Sequence, residues 1–383
     1  MAITVLKKQL GNLHILRGLS ALYVVVYHAK FFFWSGGTAF LEEFPVTDLS
    51  FWEKFIFIID MMSSAGKEMV FVFFLLSGFF ISLSLEISKY KKWQFLIIRT
   101  IRIYMPFVLS MIIAFICLYV SFHINKDVFI ENSNYQLNND LFEAHNSLNI
   151  MSFLKTLFFV RDANNFIGYN NVYWSLCYEM IFYFLIVFCY TIKRKLIFVI
   201  LTFIVFLLPY FTAIELKLGS VYFPYFIYFG LGVLIQVLVG KFEQQLLDKK
   251  VSKWISISLL LISFLAIIAS VKLNLAYLYI HLLTIIFSLT TMYLLLIEEI
   301  KMNWLSRFMY YLGEISYSLY LGHMPFFVLM YSTASMVSGD VIWYTRWRYW
   351  VFSILAIFFT LIIYYLAEKP SVKIIIGIKR KFK

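Results

Sequence analysis

Long apolar runs alternate with short polar breaks, most of them basic, along the whole chain. An α-helix needs roughly 20 apolar residues to cross a bilayer, because it rises about 1.5 Å per residue. Ten segments meet that length, at about 13–33, 67–87, 103–122, 172–191, 195–212, 221–240, 253–271, 275–297, 312–332 and 348–367. The fifth is set off from the fourth only by the tight basic turn Lys193-Arg194-Lys195. The pattern predicts an all-α membrane protein with about ten transmembrane helices. Two longer connections, 34–66 and 123–171, interrupt the rhythm. The second is polar and Asn-rich at first (ENSNYQLNND), then apolar at 151–160 (MSFLKTLFFV). That last stretch is too short to span and suits the interface or a re-entrant turn.

The basic residues orient these spans. With the N-terminus in the cytoplasm, inner segments hold Lys7 and Lys8, then Lys89, Lys91, Lys92, Arg99 and Arg102, then Lys193, Arg194 and Lys195. They also hold Lys241, Lys249, Lys250 and Lys253, then Lys301 and Arg307, and a basic end that includes Lys379, Arg380, Lys381 and Lys383. Outer segments hold fewer: Lys54, Lys67, Lys126, Lys155, Arg161, Lys217, Lys272, Arg346 and Arg348. The positive-inside rule then places both ends in the cytoplasm. Residues 1–370 read as one polytopic membrane domain and 371–383 as a short basic cytoplasmic tail. Lys7 and Lys8 before an apolar run mimic a signal peptide. The run is too long for one and no A-x-A site follows, so it reads as an uncleaved first span.

Composition agrees. The chain is 62% hydrophobic and 14% charged, against about 45–50% and about 25% in soluble proteins. A net charge of +12 would suggest nucleic acid in a soluble protein. Here the inside-positive loops account for it, so the expected partner is the lipid bilayer and no nucleic acid. Cys117, Cys177 and Cys189 all sit inside apolar runs and form no CxxC or disulfide pattern.

Ionisable residues within spans point to function, because each is costly unless paired or hydrated. LRGLSALYVVVYH carries Arg17 and His28. Eleven helical residues return to within about 20° of the same direction and advance about 16 Å. The two therefore share a face, Arg17 near the cytoplasmic boundary and His28 deeper toward the outer side. Arg17 reads either as a snorkelling anchor or as a ligand for an anion. His28 reads either as an interhelical hydrogen-bonding residue or as a proton acceptor. FLIIRTIRIYMP places Arg99 and Arg102 at i, i+3. They serve either as inside anchors or, with Arg17 at the same depth, as bidentate ligands for phosphate.

VYWSLCYEMIFYF places Glu179 mid-span, with Ser175 and Tyr183 four residues to either side on its face. A buried carboxylate needs a cationic or hydrogen-bonding partner. His28 would orient against it as a general base, or Tyr hydroxyls would tie it down as a structural group. ISYSLYLGHMPFF places His323 beside Pro325, as a second polar residue of the site or as a packing histidine. Trp174, Ser175, Tyr183 and His323 are candidates to line the site and stabilise an oxyanion. Ser77-Gly78 in FVFFLLSGFFIS suits close helix approach, with Ser77 a further candidate for the lining. His281 is a weaker candidate, and His14, His123 and His145 receive no role. No P-loop, GxSxG elbow or HExxH spacing is present, and no metal is expected.

Taken together, these segments resemble the acyltransferase type 3 family of integral membrane proteins. LRGLSALYVVVYH is similar to its first-span signature, FVFFLLSGFF to its second-span element and RTIRIYMP to its Arg-x-x-Arg motif. VYWSLCYEMIFYF, SYSLYLGHMP and AEKP resemble its later elements, in the right order over residues 13–370. The resemblance implies a ten-helix core in a bacterial plasma (inner) membrane. It implies that acyl groups, usually acetyl from acetyl-CoA, pass to hydroxyls of extracytoplasmic glycans such as surface polysaccharides. It also implies that His28 is the key catalytic residue and that Arg17, Arg99 and Arg102 handle the CoA donor. Direct transfer and an acyl-histidine intermediate both fit this chemistry. So does transfer of succinyl rather than acetyl. A transporter or flippase using the same polar residues is the rival reading from a different class.

Overall fold

The computed structural model describes residues 2–87, 91–161, 165–189, 191–212, 216–218, 221–248, 252–297, 300–340, 343–345 and 347–381. Of the basic residues used to orient the spans, Lys89, Lys249, Lys250, Arg346 and Lys383 lie outside the described residues. Among the described residues the protein is all-α apart from one antiparallel pair of two-residue strands. In chain order the helices are α1 (Ala2–Phe33), α2 (Gly37–Glu43), α3 (Phe51–Met62), α4 (Gly66–Ile87), α5 (Lys92–Ile124), α6 (Gln136–Asn146), α7 (Ile150–Leu157), α8 (Trp174–Ile186) and α9 (Ile192–Phe211). The strands β1 (Lys217–Leu218) and β2 (Val221–Tyr222) follow. Then come α10 (Phe226–Asp248), α11 (Lys253–Lys272), α12 (Tyr277–Ile297), α13 (Trp304–Glu314), α14 (Ser316–Ser338), α15 (Trp347–Ile363) and α16 (Lys369–Lys381).

Among the described residues, eight helices are long and apolar enough to cross a membrane. The remaining two expected segments are helical but differ. The expected span 172–191 holds α8, with only 13 residues. The expected span 312–332 is divided at Ile315 between α13 and α14. α14 is long enough, but with His323, Pro325 and its Ser and Tyr residues it is not among the helices apolar enough to span. Expected boundaries also move: α1 begins at Ala2 rather than near 13, and α10 runs to Asp248 rather than to about 240. α5 begins at Lys92 rather than near 103, so Arg99 and Arg102 lie well inside a helix. The last helix does not stop at Pro370. A π-helical turn, Tyr364–Glu368, joins α15 to α16, and the N–H of Lys369 reaches back to the carbonyl of Tyr364. That register shift accommodates Pro370, which has no N–H to give. The stretch expected as a tail is helical as far as Lys381.

The chain forms two compact units. The first comprises Met1–Tyr23, Ser64–Leu96 and Tyr178–Ser316. Within it α4 and α10 touch backbone to backbone. A Cβ on Gly78 would sit 2.2 Å from the Phe229 carbonyl oxygen, and one on Gly232 would sit 2.1 Å from that of Leu75. Both positions therefore require glycine, as the Ser77-Gly78 pair led one to expect. Lys195, 2% exposed, closes the same bundle. Its ammonium donates to the carbonyl of Ser82 (3.2 Å), to Glu86 (3.3 Å) and to Gln236 Oε1 (2.8 Å).

The second unit comprises Val24–Ser63, Ile97–Cys177 and Tyr317–Lys383. α3 starts with a capping box in which Ser50 and Glu53 satisfy each other's backbone. It exposes Phe51, Trp52, Phe55 and Ile58, as an interfacial helix does. Its polar anchor is Asp60, fully buried, which accepts the hydroxyl hydrogen of Tyr349. α7 covers part of the apolar stretch 151–160 and is one of the short helices of this unit, with Ile150 and Met151 exposed.

Candidate functional site

The second unit gathers His28, Arg99, Arg102, Trp174, Ser175 and His323. His28 lies in α1 and is half-buried, while His323 in α14 is completely buried. Their rings stack with centroids 5.1 Å apart, and His28 Nδ1 lies 3.0 Å from His323 Nε2. The protons follow from one fixed acceptor. His323 Nδ1 is 2.9 Å from the carbonyl oxygen of Leu319. A carbonyl only accepts, so His323 Nδ1 carries the hydrogen and its Nε2, in the neutral ring, is an acceptor. His28 Nδ1–H then donates to His323 Nε2. The lone pair of His28 is left at Nε2, on the ring that is not fully covered. Nδ1 of His28 thus finds an imidazole as its partner, where a carboxylate was expected to orient it.

α14 is held in place around His323 by three contacts that use its own weak points. Pro325 removes the N–H that would bond the carbonyl of Leu321, four residues earlier. The side-chain amide of Asn170 donates to that carbonyl at 2.8 Å. The first turn of α14 has unsatisfied N–H groups and a partial positive charge. Glu368, itself buried, accepts from the Ser318 N–H (3.0 Å) and from its hydroxyl. Tyr320 donates to the carbonyl of Val172 (3.0 Å) and accepts from Ser175 (2.8 Å). Ser175 therefore joins the α14 side of the site. Trp174, the first residue of α8, is half-buried.

Arg99 and Arg102 lie at i, i+3 in α5 and are half-buried. Pro106 follows Arg102 by four residues and leaves the Arg102 carbonyl without its helical donor. Tyr317, at the start of α14, donates to the neighbouring carbonyl of Ile103 at 2.9 Å. Lys379 of α16 comes close enough for the charges of both arginines to act on it.

The first unit holds Arg17, Ser77, Glu179 and Tyr183. Arg17 is half-buried in α1. Glu179 Oε1 accepts from Tyr183, one turn on along α8, and from Ser77 of α4 at 3.2 Å. The expected face Ser175–Glu179–Tyr183 is therefore divided. Tyr183 satisfies Glu179, and Ser175 turns to Tyr320. Asn170, Tyr320, Glu368 and Lys379 were not singled out as site residues from the sequence. Two of them carried a signal. Pro325 announces a carbonyl in need of a donor, and Glu368 belongs to the AEKP motif.

Among the described residues no group of three or more His, Cys, Asp or Glu side chains converges as a metal site would require. Comparison with curated proteins and with solved structures finds no match to the chain. The family model described as an acyltransferase domain, Acyl_transf_3, matches residues 10–368, nearly the whole chain. The chain belongs to the acyltransferase type 3 family.

Proposed function

We propose that this membrane acyltransferase moves an acyl group, most simply acetyl from acetyl-CoA, from the cytoplasmic side to a hydroxyl of an extracytoplasmic glycan. The reading takes the spans as ten, with both ends in the cytoplasm of a bacterial cell and the protein in its plasma membrane. The observation that carries it is the His28–His323 couple. Its hydrogen-bond order leaves His28 Nε2 as a lone pair on a half-buried ring, the form a general base requires. His28 Nε2 takes the proton of the acceptor hydroxyl as that oxygen bonds to the thioester carbonyl carbon. The carbon–sulfur bond then breaks, and the proton passes from His28 to the departing CoA thiolate. Throughout, Nδ1–H of His28 stays bonded to His323, which spreads the transient charge. Arg99 and Arg102 hold donor phosphates by bidentate hydrogen bonds, and the motif resemblance assigns donor binding to Arg17 as well. Glu179, tied by Ser77 and Tyr183, acts as a positioning residue.

The test is transfer of labelled acetyl from acetyl-CoA by purified protein in nanodiscs, with surface glycan from the producing cell as acceptor. His28→Ala is expected to lower transfer by about 100-fold or more, the usual worth of a general base. Full transfer by that variant would overturn the reading. A transporter using the same residues would consume no thioester.

A further inference from the structure

The chemistry above leaves one polar cluster of the first unit unused. It lies where α4, α10 and α12 begin, reached from the end of α9 by Phe206. The Lys67 ammonium stands 5.1 Å from the ring centre of Tyr225 and 4.9 Å from that of Tyr277. It also donates to the Tyr277 hydroxyl at 3.0 Å. Glu68, next in sequence, is buried with 7% of its surface exposed. His281 packs against the rings of Tyr225 and Tyr277, each at 5.6 Å. Its Nδ1 meets the Tyr228 hydroxyl at 2.8 Å. Its Nε2 is buried and has no hydrogen-bond partner among the described residues.

The aromatic belt of a membrane protein explains part of this. Tyr277 is more than half exposed, as an interfacial tyrosine should be. The belt does not explain Tyr225 and Tyr228, which are buried, or an imidazole that is 2% exposed with one nitrogen unanswered. Leaving such a nitrogen without a partner is unfavourable. The exposed ring of Tyr277 and the Lys67 ammonium, with the Glu68 carboxylate and the His281 imidazole beside them, suit a ligand with an apolar face and a hydroxyl rim. A wholly apolar ligand would strand Lys67 and Glu68, and a compact anion would be repelled by Glu68. A sugar ring meets both demands, with its C–H face on tyrosine and its hydroxyls on the polar groups.

We propose that this cluster binds a pyranose ring of the acyl acceptor. The inference rests on the proposed function, which puts the acceptor outside the cell. In that orientation the starts of α4, α10 and α12 all face outward. The sugar reaches the site either as part of a polymer or on a lipid carrier, since the recognised chemistry is the same.

The experiment uses the full-length protein in nanodiscs and methyl glycosides of glucose, galactose, mannose, rhamnose and N-acetylglucosamine as probes. Saturation-transfer NMR reads binding without any need for turnover. The wild type is expected to give a signal with at least one glycoside. His281→Leu and Lys67→Met are expected to reduce it at least five-fold while leaving the KM for acetyl-CoA unchanged. His281→Gln, which keeps a hydrogen-bonding side chain, should retain part of the signal and guards against a folding defect in the leucine variant. No signal with any glycoside in the wild type, or the same signal in all variants, overturns the proposal. Glycoside binding that is lost in the variants, in a protein that transfers no acetyl group, would leave the subsite standing and remove the acyl-transfer reading. His28-dependent transfer with unaltered glycoside binding in the variants would do the reverse. Competition by free polysaccharide against a lipid-linked oligosaccharide, each added to the binding assay, tells the two sources apart.

Discussion

His323 has no exposed surface, yet its ring decides what His28 can do. Because Leu319 fixes the proton on one nitrogen of His323, the other can only accept, and His28 is presented in a single tautomer. His323→Ala should therefore lower kcat by about 10- to 100-fold, a share of the general-base contribution, with the KM for acetyl-CoA unmoved. His323→Gln, whose side-chain oxygen can accept from Nδ1–H, should recover part of the loss. Steady-state kinetics on the two variants checks this, and equal loss in both would reduce His323 to packing. Arg99→Ala should show the opposite split. It is expected to raise the KM for acetyl-CoA at least ten-fold, since losing a charge-assisted bidentate contact costs about 1.5–3 kcal/mol. An unchanged KM would remove the arginine pair from donor binding.

Among the elements, α4 and α10 depend on glycine for their contact. Gly78→Ala would place a methyl group where the Phe229 carbonyl stands. Overpacking of this kind costs about 1–3 kcal/mol, and a backbone atom cannot rotate away. A lower midpoint in thermal unfolding in detergent is expected, and an unchanged one would contradict the close approach. The connection before α8 is also testable, through Tyr169, which donates to Asp140 at 3.0 Å. Burial, reinforced by the Asp140 charge, pushes its phenol well above the usual range. In the unfolded chain the phenol ionises near pH 10. The stability Tyr169 contributes is complete below that pH and is lost as pH rises toward its folded value, by up to about 1.4 kcal/mol per unit. Tyr169→Phe should accordingly lose less stability than the wild type between pH 9 and 11, measured by chemical denaturation.

For the whole molecule the central statement is its orientation. In a background lacking Cys117, Cys177 and Cys189, Val46→Cys and Gly377→Cys place thiols at exposed positions before α3 and within α16. A membrane-impermeant maleimide applied to intact cells should label the first and spare the second. Labelling of both, or only of the second, would refute cytoplasmic ends. Here the chain's own pattern carried far. Apolar runs and basic breaks located α4, α9, α11 and α12 to within a few residues at both ends. They misplaced the starts of α1 and α5 and the ends of α10, α14 and the last helix, because a length rule counts apolar residues. Helices continue through amphipathic turns such as Lys92–Leu96 and through a π turn ahead of Pro370.

The amino-acid sequence by itself determined that the chain is helical and membrane-embedded, that it belongs to an acyltransferase family, and which ionisable residues are candidates for a role. Those properties are local: hydrophobic run length, charge placement, and motif residues a few positions apart. Tertiary structure alone decided the pairings. Residues 28 and 323 stand nearly three hundred positions apart, and nothing in either helix's period says that one imidazole orients the other. The same holds for Asn170 answering the carbonyl freed by Pro325, and for Glu368 capping α14. A motif announces that a polar group is needed. Only packing between distant helices determines which partner satisfies it, because the cost of a buried unpaired group is settled in three dimensions.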